Sequence, residues 1–222
     1  MKISVFIPCV QEHYQFIPAL IRRYQLNTRV PDEIVVFVSG VKNKIEINNY
    51  ENVKYFIVSE KRVHQGEARQ WALNLCLGDI VSYQDADDTP HRQRIEIIER
   101  IFHDNDIVCL THSYYNKFGN TEFVDYEKIK KIGGKKIYDH YFPNDNLRSC
   151  ISVSPAYGGG LMTTTAGTCS IKKEILKEVK WRGKEDIQLS QSGAEDYDFC
   201  MEVAHKYKKS MMIDAPLYYY IK

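Results

Sequence analysis

The chain has 222 residues, of which 44% are hydrophobic and 12% aromatic, and 30 basic and 29 acidic side chains give a formal net charge of +1. This length is sufficient for one sizeable core, so we expect a single domain over residues 1–222. The balanced charge gives no basic surface for nucleic acid, and the hydrophobic content excludes a disordered chain.

No segment is long and apolar enough for a transmembrane helix, and the apolar run at the N-terminus is too short for a signal peptide. The six cysteines are scattered, without a Cys-x-x-Cys pair or a cysteine and histidine spacing that suits zinc. We therefore expect buried free thiols and a cytoplasmic protein.

Predicted strands and helices alternate through the first half of the chain. Short apolar runs predict strands at residues 3–8, 33–38, 53–58, 79–83 and 106–111. Helical spacing predicts helices at residues 16–24 and 68–76, with Trp71 in the core, and a third helix opened by Pro90 and capped by Asp88. This alternation is typical of an α/β fold, with a mostly parallel central sheet flanked by helices.

The pattern weakens between about residues 114 and 168, a segment that includes glycine and threonine runs at 158–160 and 163–165. A long irregular segment in a compact domain is usually functional or mobile. We place there the side of the site that binds a second substrate, which we call the acceptor side. Beyond it we predict a short helix at 172–179, a helix at 195–207 and a last strand at 211–221. Tyr218, Tyr219 and Tyr220 are interpreted as edge-strand packing.

The strongest candidates for chemistry are three carboxylates directly after the fourth predicted strand, Asp85, Asp87 and Asp88. Ligands bind at the carboxyl ends of strands in open α/β sheets. In an extended chain Asp85 and Asp87 would point the same way and could share Mg²⁺ or Mn²⁺, which prefer oxygen ligands. An acidic turn before a helix is the alternative, and it accounts for Asp88 but not for the other two.

A second acidic pair, Glu195 and Asp196, opens the helix predicted at residues 195–207. Acidic residues in a first turn can simply interact with the helix dipole. A carboxylate there could also serve as a general base if it reaches an acceptor hydroxyl. Similarly, Trp181 could stack on a sugar or pack in the core or at its rim. The histidines show no ligand spacing.

In order and spacing, these motifs resemble the inverting glycosyltransferases of family 2, which have the GT-A fold. The resemblance covers nearly the whole chain: SVFIP at residues 4–8, GEARQ at 66–70, LGDI at 77–80, DADD at 85–88 and the later Glu195 and Asp196. It implies a metal-dependent inverting transfer of a sugar from a nucleotide-diphosphate donor, with UDP-sugar favoured. The acceptor would be a hydroxyl of a glycan, a protein or a small molecule.

The resemblance also implies a role for each matching residue. Asp87 and Asp85 would hold Mn²⁺ or Mg²⁺, Asp85 would also approach the ribose, and Asp196, beside Glu195, would be the base. The donor would further contact Pro8, Glu12, Ser39, Gly66 and Arg69. About residues 1–112 would form the donor half and 113–222 the acceptor half. For Arg69, a solvated charge on a helix is an equally simple interpretation.

The acceptor site would be shaped by Ala166, Gly167 and Thr168, which precede a helix at Ile171 and Lys172. The alternative for these residues is a plain turn.

Three positions depart from the family pattern. Gln11 and Gln70 stand where asparagine is common, and Ser39 stands where an aspartate often contacts the base of the nucleotide. The last departure keeps open a second function, a catalytically silent module of the same fold that binds nucleotide sugars or uses its surface for recognition. A nucleotidyltransferase is disfavoured, because no glycine-rich phosphate loop follows the first strand.

Overall fold

The computed structural model describes residues 1–47, 49–59, 61–115, 123–133, 166–183 and 194–221. The glycine and threonine runs at 158–160 and 163–165, where we placed the acceptor side, lie outside these ranges. Among the helices of the described residues, none has both the length and the hydrophobicity to cross a membrane. Buried free thiols are confirmed for five cysteines, namely Cys9, Cys76, Cys109, Cys169 and Cys200.

A mixed β-sheet forms the centre of the fold. Its strands are β1 (Ile3–Val10), β2 (Glu33–Val41), β3 (Val53–Ser59), β4 (Ile80–Tyr83), β5 (Thr89–Pro90), β6 (Cys109–Tyr115), β7 (Lys131–Gly133), β8 (Cys169–Lys172) and β9 (Ser210–Tyr219). They lie in the order β3-β2-β1-β4-β8-β6-β9-β5, and β7 pairs with β9. Strands β3, β2, β1 and β4 are parallel, whereas β8 runs antiparallel to both β4 and β6.

Helices cover both faces of the sheet. They are α1 (Ile17–Gln25), α2 (Gln65–Gln70), α3 (Ala72–Leu75), α4 (Arg94–Asp104) and α5 (Ala194–Tyr207). Short 3₁₀ helices lie at Gln11–Phe16, Tyr126–Lys128, Ala166–Thr168 and Lys173–Lys177. Strand β1 shows why both faces are apolar: Val5 packs in the cluster with α1 and α4, and its neighbour Phe6 packs in the cluster with α2 and α5.

Three local predictions are wrong. Helix α4 begins at Arg94, not at Pro90, because Pro90 pairs with Tyr218 in the short strand β5. Asp88 is not a helix cap, since its side chain accepts hydrogen bonds from the end of β9. The helix expected at Ile171 is the strand β8, followed by a 3₁₀ helix, because Ile171 is buried between β4 and β6.

The two tryptophans show opposite outcomes. Trp71 lies between α2 and α3 and is 48% exposed, so its predicted core position is wrong. Trp181 is only 3% exposed, which confirms core packing and not an open surface for stacking on a sugar. Helical spacing located the segment around Trp71 correctly, but it could not show which face of the segment meets solvent.

Candidate active site

The first acidic motif forms a turn at the end of β4, which we call the donor turn (residues 85–88). It is closed by a hydrogen bond from the Asp88 N–H to the Asp85 carbonyl, 3.3 Å long. The extended backbone that we assumed for Asp85 and Asp87 is therefore wrong. Asp87 is at the tip with a side chain 46% exposed, and its Oδ2 lies 3.8 Å from His13 Nδ1. A cleft of about 470 Å³ opens beside Asp87.

Arg69 joins the two acidic motifs. Its Nη2 lies 3.0 Å from Asp85 Oδ1, and its Nη1 lies 2.8 Å from Asp196 Oδ1 and 3.3 Å from Glu195 Oε1. The side chain is 2% exposed, so the interpretation as a solvated helix charge is wrong. One buried cation thus gathers three carboxylates that the sequence places in separate motifs.

The charges in this cluster shift the pKa of its members. Burial by itself lowers the pKa of Arg69, but Asp196, Asp85 and Glu195 raise it above its ordinary value, and the guanidinium stays charged. Burial raises the pKa of Asp196 to about 7, with Arg69 acting against this rise and the Glu195 and Asp85 charges adding to it. Asp196 therefore changes its protonation state near neutral pH, as a general base requires.

Close backbone packing brings the start of α2 against the segment 181–183, next to the Glu195 side chain. Gly66 is required there, because a Cβ at this position would lie 2.0 Å from the Arg182 carbonyl oxygen. The neighbouring Gln65 donates a short hydrogen bond to Glu195 Oε1. Gly66 therefore has a packing role that the sequence did not indicate, in addition to any contact with a donor.

Trp181 packs against the Arg69 side chain and connects it to the core. The guanidinium of Arg69 lies 5.3 Å from its ring centroid, which is within the range of a cation–π interaction. The indole stacks on Phe199 at 3.9 Å and donates from Nε1 to the Tyr83 hydroxyl at 2.9 Å. Trp181 thus holds Arg69 in place and ties helix α5 to strand β4.

Tyr218 is a site residue that sequence reasoning missed. Its hydroxyl lies 3.3 Å from Asp85 Oδ2 and 2.8 Å from Asp88 Oδ2, although the tyrosine run was interpreted as edge-strand packing. Burial raises the pKa of Asp88 to about 7, and the charges of Asp85 and Asp87 add to this effect. A run of three tyrosines has no periodicity that would indicate such a contact.

The residues expected at the nucleotide lie around the carboxyl ends of β1 and β2. Pro8 is half-buried in β1, Glu12 is exposed in the 3₁₀ helix that follows, and Ser39 is buried in β2. The Ser39 Oγ accepts a hydrogen bond from the Val63 N–H at 3.2 Å. Burial and the charges of Asp87 and Glu12 raise the pKa of Cys9 to about 12. Both carboxylates are therefore close enough to the end of β1 to affect this thiol.

The carboxylates of the donor turn suit a divalent cation that is held jointly by the protein and a bound phosphate ligand. Within the described residues, no three histidine, cysteine, aspartate or glutamate side chains form a group that could hold a metal ion. Magnesium in phosphate sites, however, commonly takes one or two carboxylates together with substrate phosphates and waters. Asp87 is an open carboxylate of this kind, whereas the Asp85 oxygens already contact Arg69 and Tyr218.

Solved structures of proteins in complex with UDP-sugars share this fold. The S. aureus TarS fragment 1–349, in complex with UDP-GlcNAc, has a TM-score of 0.68 at 17% identity, covering 100% of this chain and 59% of that chain. Glucosyl-3-phosphoglycerate synthase from Mycobacterium tuberculosis, in complex with Mn²⁺, UDP-glucose and phosphoglyceric acid, has a TM-score of 0.59 at 17% identity, covering 95% and 68%. The predicted α/β class and GT-A fold are confirmed.

Two curated relatives are named as glycosyltransferases. A UDP-Gal:alpha-D-GlcNAc-diphosphoundecaprenol beta-1,3-galactosyltransferase of Escherichia coli is 30% identical over 153 residues, which cover 64% of this chain and 54% of that protein. The amylovoran biosynthesis glycosyltransferase AmsB of Erwinia amylovora is 25% identical over 178 residues, covering 78% and 52%. The chain therefore spans about half the length of these relatives.

A family model gives the most direct assignment. Residues 4–178 match the model described as glycosyl transferase family 2. This match covers most of the chain and includes the donor turn, Arg69 and the end of β1, and it confirms the resemblance seen in the motifs. The chain belongs to glycosyl transferase family 2.

Proposed function

We propose that this chain carries the catalytic domain of a metal-dependent inverting glycosyltransferase, which moves a sugar from a UDP-sugar to an acceptor hydroxyl. The observation that carries the proposal is the link through Arg69, which holds Asp85 of the donor turn and Asp196 of helix α5 on one guanidinium. UDP and manganese are supported by the similar proteins, since the names of three specify UDP-linked sugars and the name of one of these also specifies Mn²⁺.

The donor turn supplies the cation site in this proposal. Asp87 would hold Mn²⁺ or Mg²⁺ through its open carboxylate, with Asp85 beside it and directed towards the ribose. When bound, the cation would neutralise the charge that develops on the diphosphate leaving group. Pro8, Glu12 and Ser39 would line the nucleotide pocket at the ends of β1 and β2.

Asp196 is the proposed general base. It takes the proton of the acceptor hydroxyl while that oxygen forms a bond to the anomeric carbon on the face opposite the diphosphate. The bond between the anomeric carbon and the phosphate oxygen breaks, and the diphosphate leaves with the electron pair. One displacement inverts the configuration without a covalent enzyme intermediate.

Arg69 would approach the donor and also has a place in this step through its contact with Asp196. Its charge opposes the effect of burial on Asp196, so that the carboxylate can be ionised at neutral pH. After proton transfer Asp196 is neutral, and Arg69 retains its contacts with Asp85 and Glu195. Asp85 and Glu195 are therefore still paired with Arg69 at the end of the step.

We further assign the donor to about residues 1–112 and the acceptor side to about residues 113–222. Glu195 would assist Asp196 through their shared contact with Arg69, and Gly66 would let the start of α2 approach the donor. The single domain and the cytoplasmic location expected from the sequence stay predictions.

The proposal is tested with a panel of nucleotide sugars, each incubated with and without Mn²⁺ and scored for release of sugar or nucleoside diphosphate. We expect release from a UDP-sugar that depends on the cation and is lost in the Asp87→Asn variant. Undiminished turnover in that variant would contradict the role of Asp87. Binding of nucleotide and Mn²⁺ without release from any donor would instead favour the silent binding module.

A further inference from the structure

The Tyr218 hydroxyl connects the two ends of the donor turn. It lies 3.3 Å from the Asp85 backbone nitrogen and 2.8 Å from Asp88 Oδ2. A hydroxyl has one proton to donate, and the shorter distance assigns this proton to Asp88. Tyr218 then accepts the Asp85 N–H, so that one polar chain runs from Asp85 through Tyr218 to Asp88.

The last strand also binds the second oxygen of Asp88. The Ile221 N–H donates to Asp88 Oδ1 at 2.8 Å, and the Asp88 side chain is buried. Both oxygens of Asp88 are therefore occupied by β9 and the residues that follow it. The ends of the turn are fixed from inside the protein, while Asp87 at the tip remains half-exposed.

Tyr218 is itself held in a built position. The Arg94 guanidinium lies 5.2 Å from the centroid of its ring, and Arg94 Nη2 donates to the carbonyl oxygens of Tyr83 at 2.7 Å and Gly167 at 2.5 Å. A Cβ on Gly167 would lie 2.3 Å from the Tyr218 hydroxyl oxygen, so only glycine permits this approach. The ring of Tyr218 would be sufficient for packing. Its hydroxyl has defined hydrogen-bond partners as well, which indicates a role beyond packing.

We propose that Tyr218 is a positioning residue, which through its hydroxyl fixes the donor turn so that Asp87 can meet the diphosphate and its cation. This inference rests on the proposed function, because it concerns the same donor site. Groups that orient a metal ligand from outside the coordination sphere typically change metal affinity by about 10- to 100-fold when they are removed. Tyr218 would act in this way through the turn, without touching the cation.

The test is the Tyr218→Phe variant, which keeps the ring over Arg94 and removes the hydroxyl. We expect UDP binding in the presence of Mn²⁺, measured by titration calorimetry, to weaken by about tenfold or more. UDP binding in EDTA should weaken much less, because Asp87 contributes through the cation and only the contact proposed between Asp85 and the ribose remains. In a double-mutant cycle with Asp87→Asn, the two losses should not add.

A matched control is Tyr126→Phe, which removes another hydroxyl bonded to a carboxylate, that of Asp104 at 2.7 Å on the exposed surface. It should bind UDP and Mn²⁺ as the wild type does. If Tyr218→Phe folds poorly, Asp88→Asn replaces it. This change keeps the shape of the side chain, but the amide has one acceptor oxygen and cannot accept from both the Tyr218 hydroxyl and the Ile221 N–H.

The inference is overturned if Tyr218→Phe binds UDP and Mn²⁺ like the wild type, or if it loses the same affinity with Mn²⁺ and with EDTA. The second result would show a general structural role. Failure of the proposed function looks different: in that case the wild type itself shows no binding of UDP that depends on Mn²⁺, and both proposals fall together.

Discussion

Arg69 and Asp196 form an ion pair of 2.8 Å between Nη1 and Oδ1, although 127 residues separate them in the sequence. The same guanidinium contacts Asp85, so the pair connects the start of helix α5 to the donor turn. A buried cation with three carboxylate partners sets both the geometry and the protonation of the site. Perturbed groups of this kind are concentrated at functional sites.

Replacement of Arg69 tests whether this link is structural as well as electrostatic. Arg69→Met removes the buried cation and leaves Asp85, Glu195 and Asp196 without that partner, so we expect the free energy of unfolding to fall by about 3–5 kcal/mol. Urea denaturation measures this change. The control is Arg182→Met, which breaks an exposed pair with Glu202 and should cost less than about 1 kcal/mol. Equal losses in the two variants would contradict the buried role of Arg69.

The pKa of Asp196 predicts the pH dependence of transfer. Burial raises this pKa to about 7, and the base must be deprotonated to act. We therefore expect kcat/KM to rise with pH up to about 7 and to level off above it. Initial rates between pH 5.5 and 9 measure the profile, which the Asp196→Asn variant should lack. A rate that is already constant at pH 5.5 would exclude Asp196 as the titrating base.

The same pKa predicts a dependence of stability on pH. Because the folded pKa of Asp196 lies above its ordinary value of 3.8, the folded state binds more protons than the unfolded state between about pH 4 and 7. The ionised group thus destabilises the fold as pH rises through this window. Asp196→Asn should therefore become more stable, relative to wild type, between pH 4 and pH 7.

The control for this linkage is Asp104→Asn. Hydrogen bonds from His103 and Tyr126 lower the pKa of Asp104, so its contribution has the opposite sign. That contribution is present above the ordinary pKa and is lost as pH falls through the folded value. Urea denaturation at several pH values measures both variants, and slopes of the same sign would contradict the assignment.

The two tryptophans should differ in their contribution to stability. Trp181→Ala removes a buried ring that stacks on Phe199, and we expect a loss of about 3–5 kcal/mol in the free energy of unfolding. Trp71→Ala removes a half-exposed ring that stacks on Phe37, so its loss should be smaller. Guanidinium denaturation of both variants compares them directly. A larger loss at Trp71 would contradict the burial that the structure assigns.

The sequence was sufficient for the parallel half of the sheet. Strands such as β1 and β2 are buried on both faces, and continuous apolar runs of this kind are typical of parallel sheets. The acidic motifs could also be located, because carboxylates that follow a buried strand need a partner or solvent. In the second half, β8 was missed, since a four-residue strand has no periodicity that distinguishes it from a short helix.

The contacts between distant motifs could not be predicted. An arginine on a helix is usually solvated, and nothing around Arg69 in the sequence indicates that it is buried against α5. The segment from Asp88 to Pro90 has the residue types of a helix start, but pairing of Pro90 with Tyr218 takes it into the sheet. Tertiary contacts decided both cases, and one sequence carries no local signal for them.

The most direct measurement is the rate of nucleoside diphosphate release from the best UDP-sugar, with Mn²⁺ and acceptor at pH 8, by wild type and Asp196→Asn. A general base typically contributes about 10²- to 10⁴-fold to the rate. We predict that the variant binds UDP with wild-type affinity and transfers sugar at least about 100-fold more slowly. Transfer at the wild-type rate by Asp196→Asn would contradict the central claim that Asp196, held by Arg69, takes the proton of the acceptor.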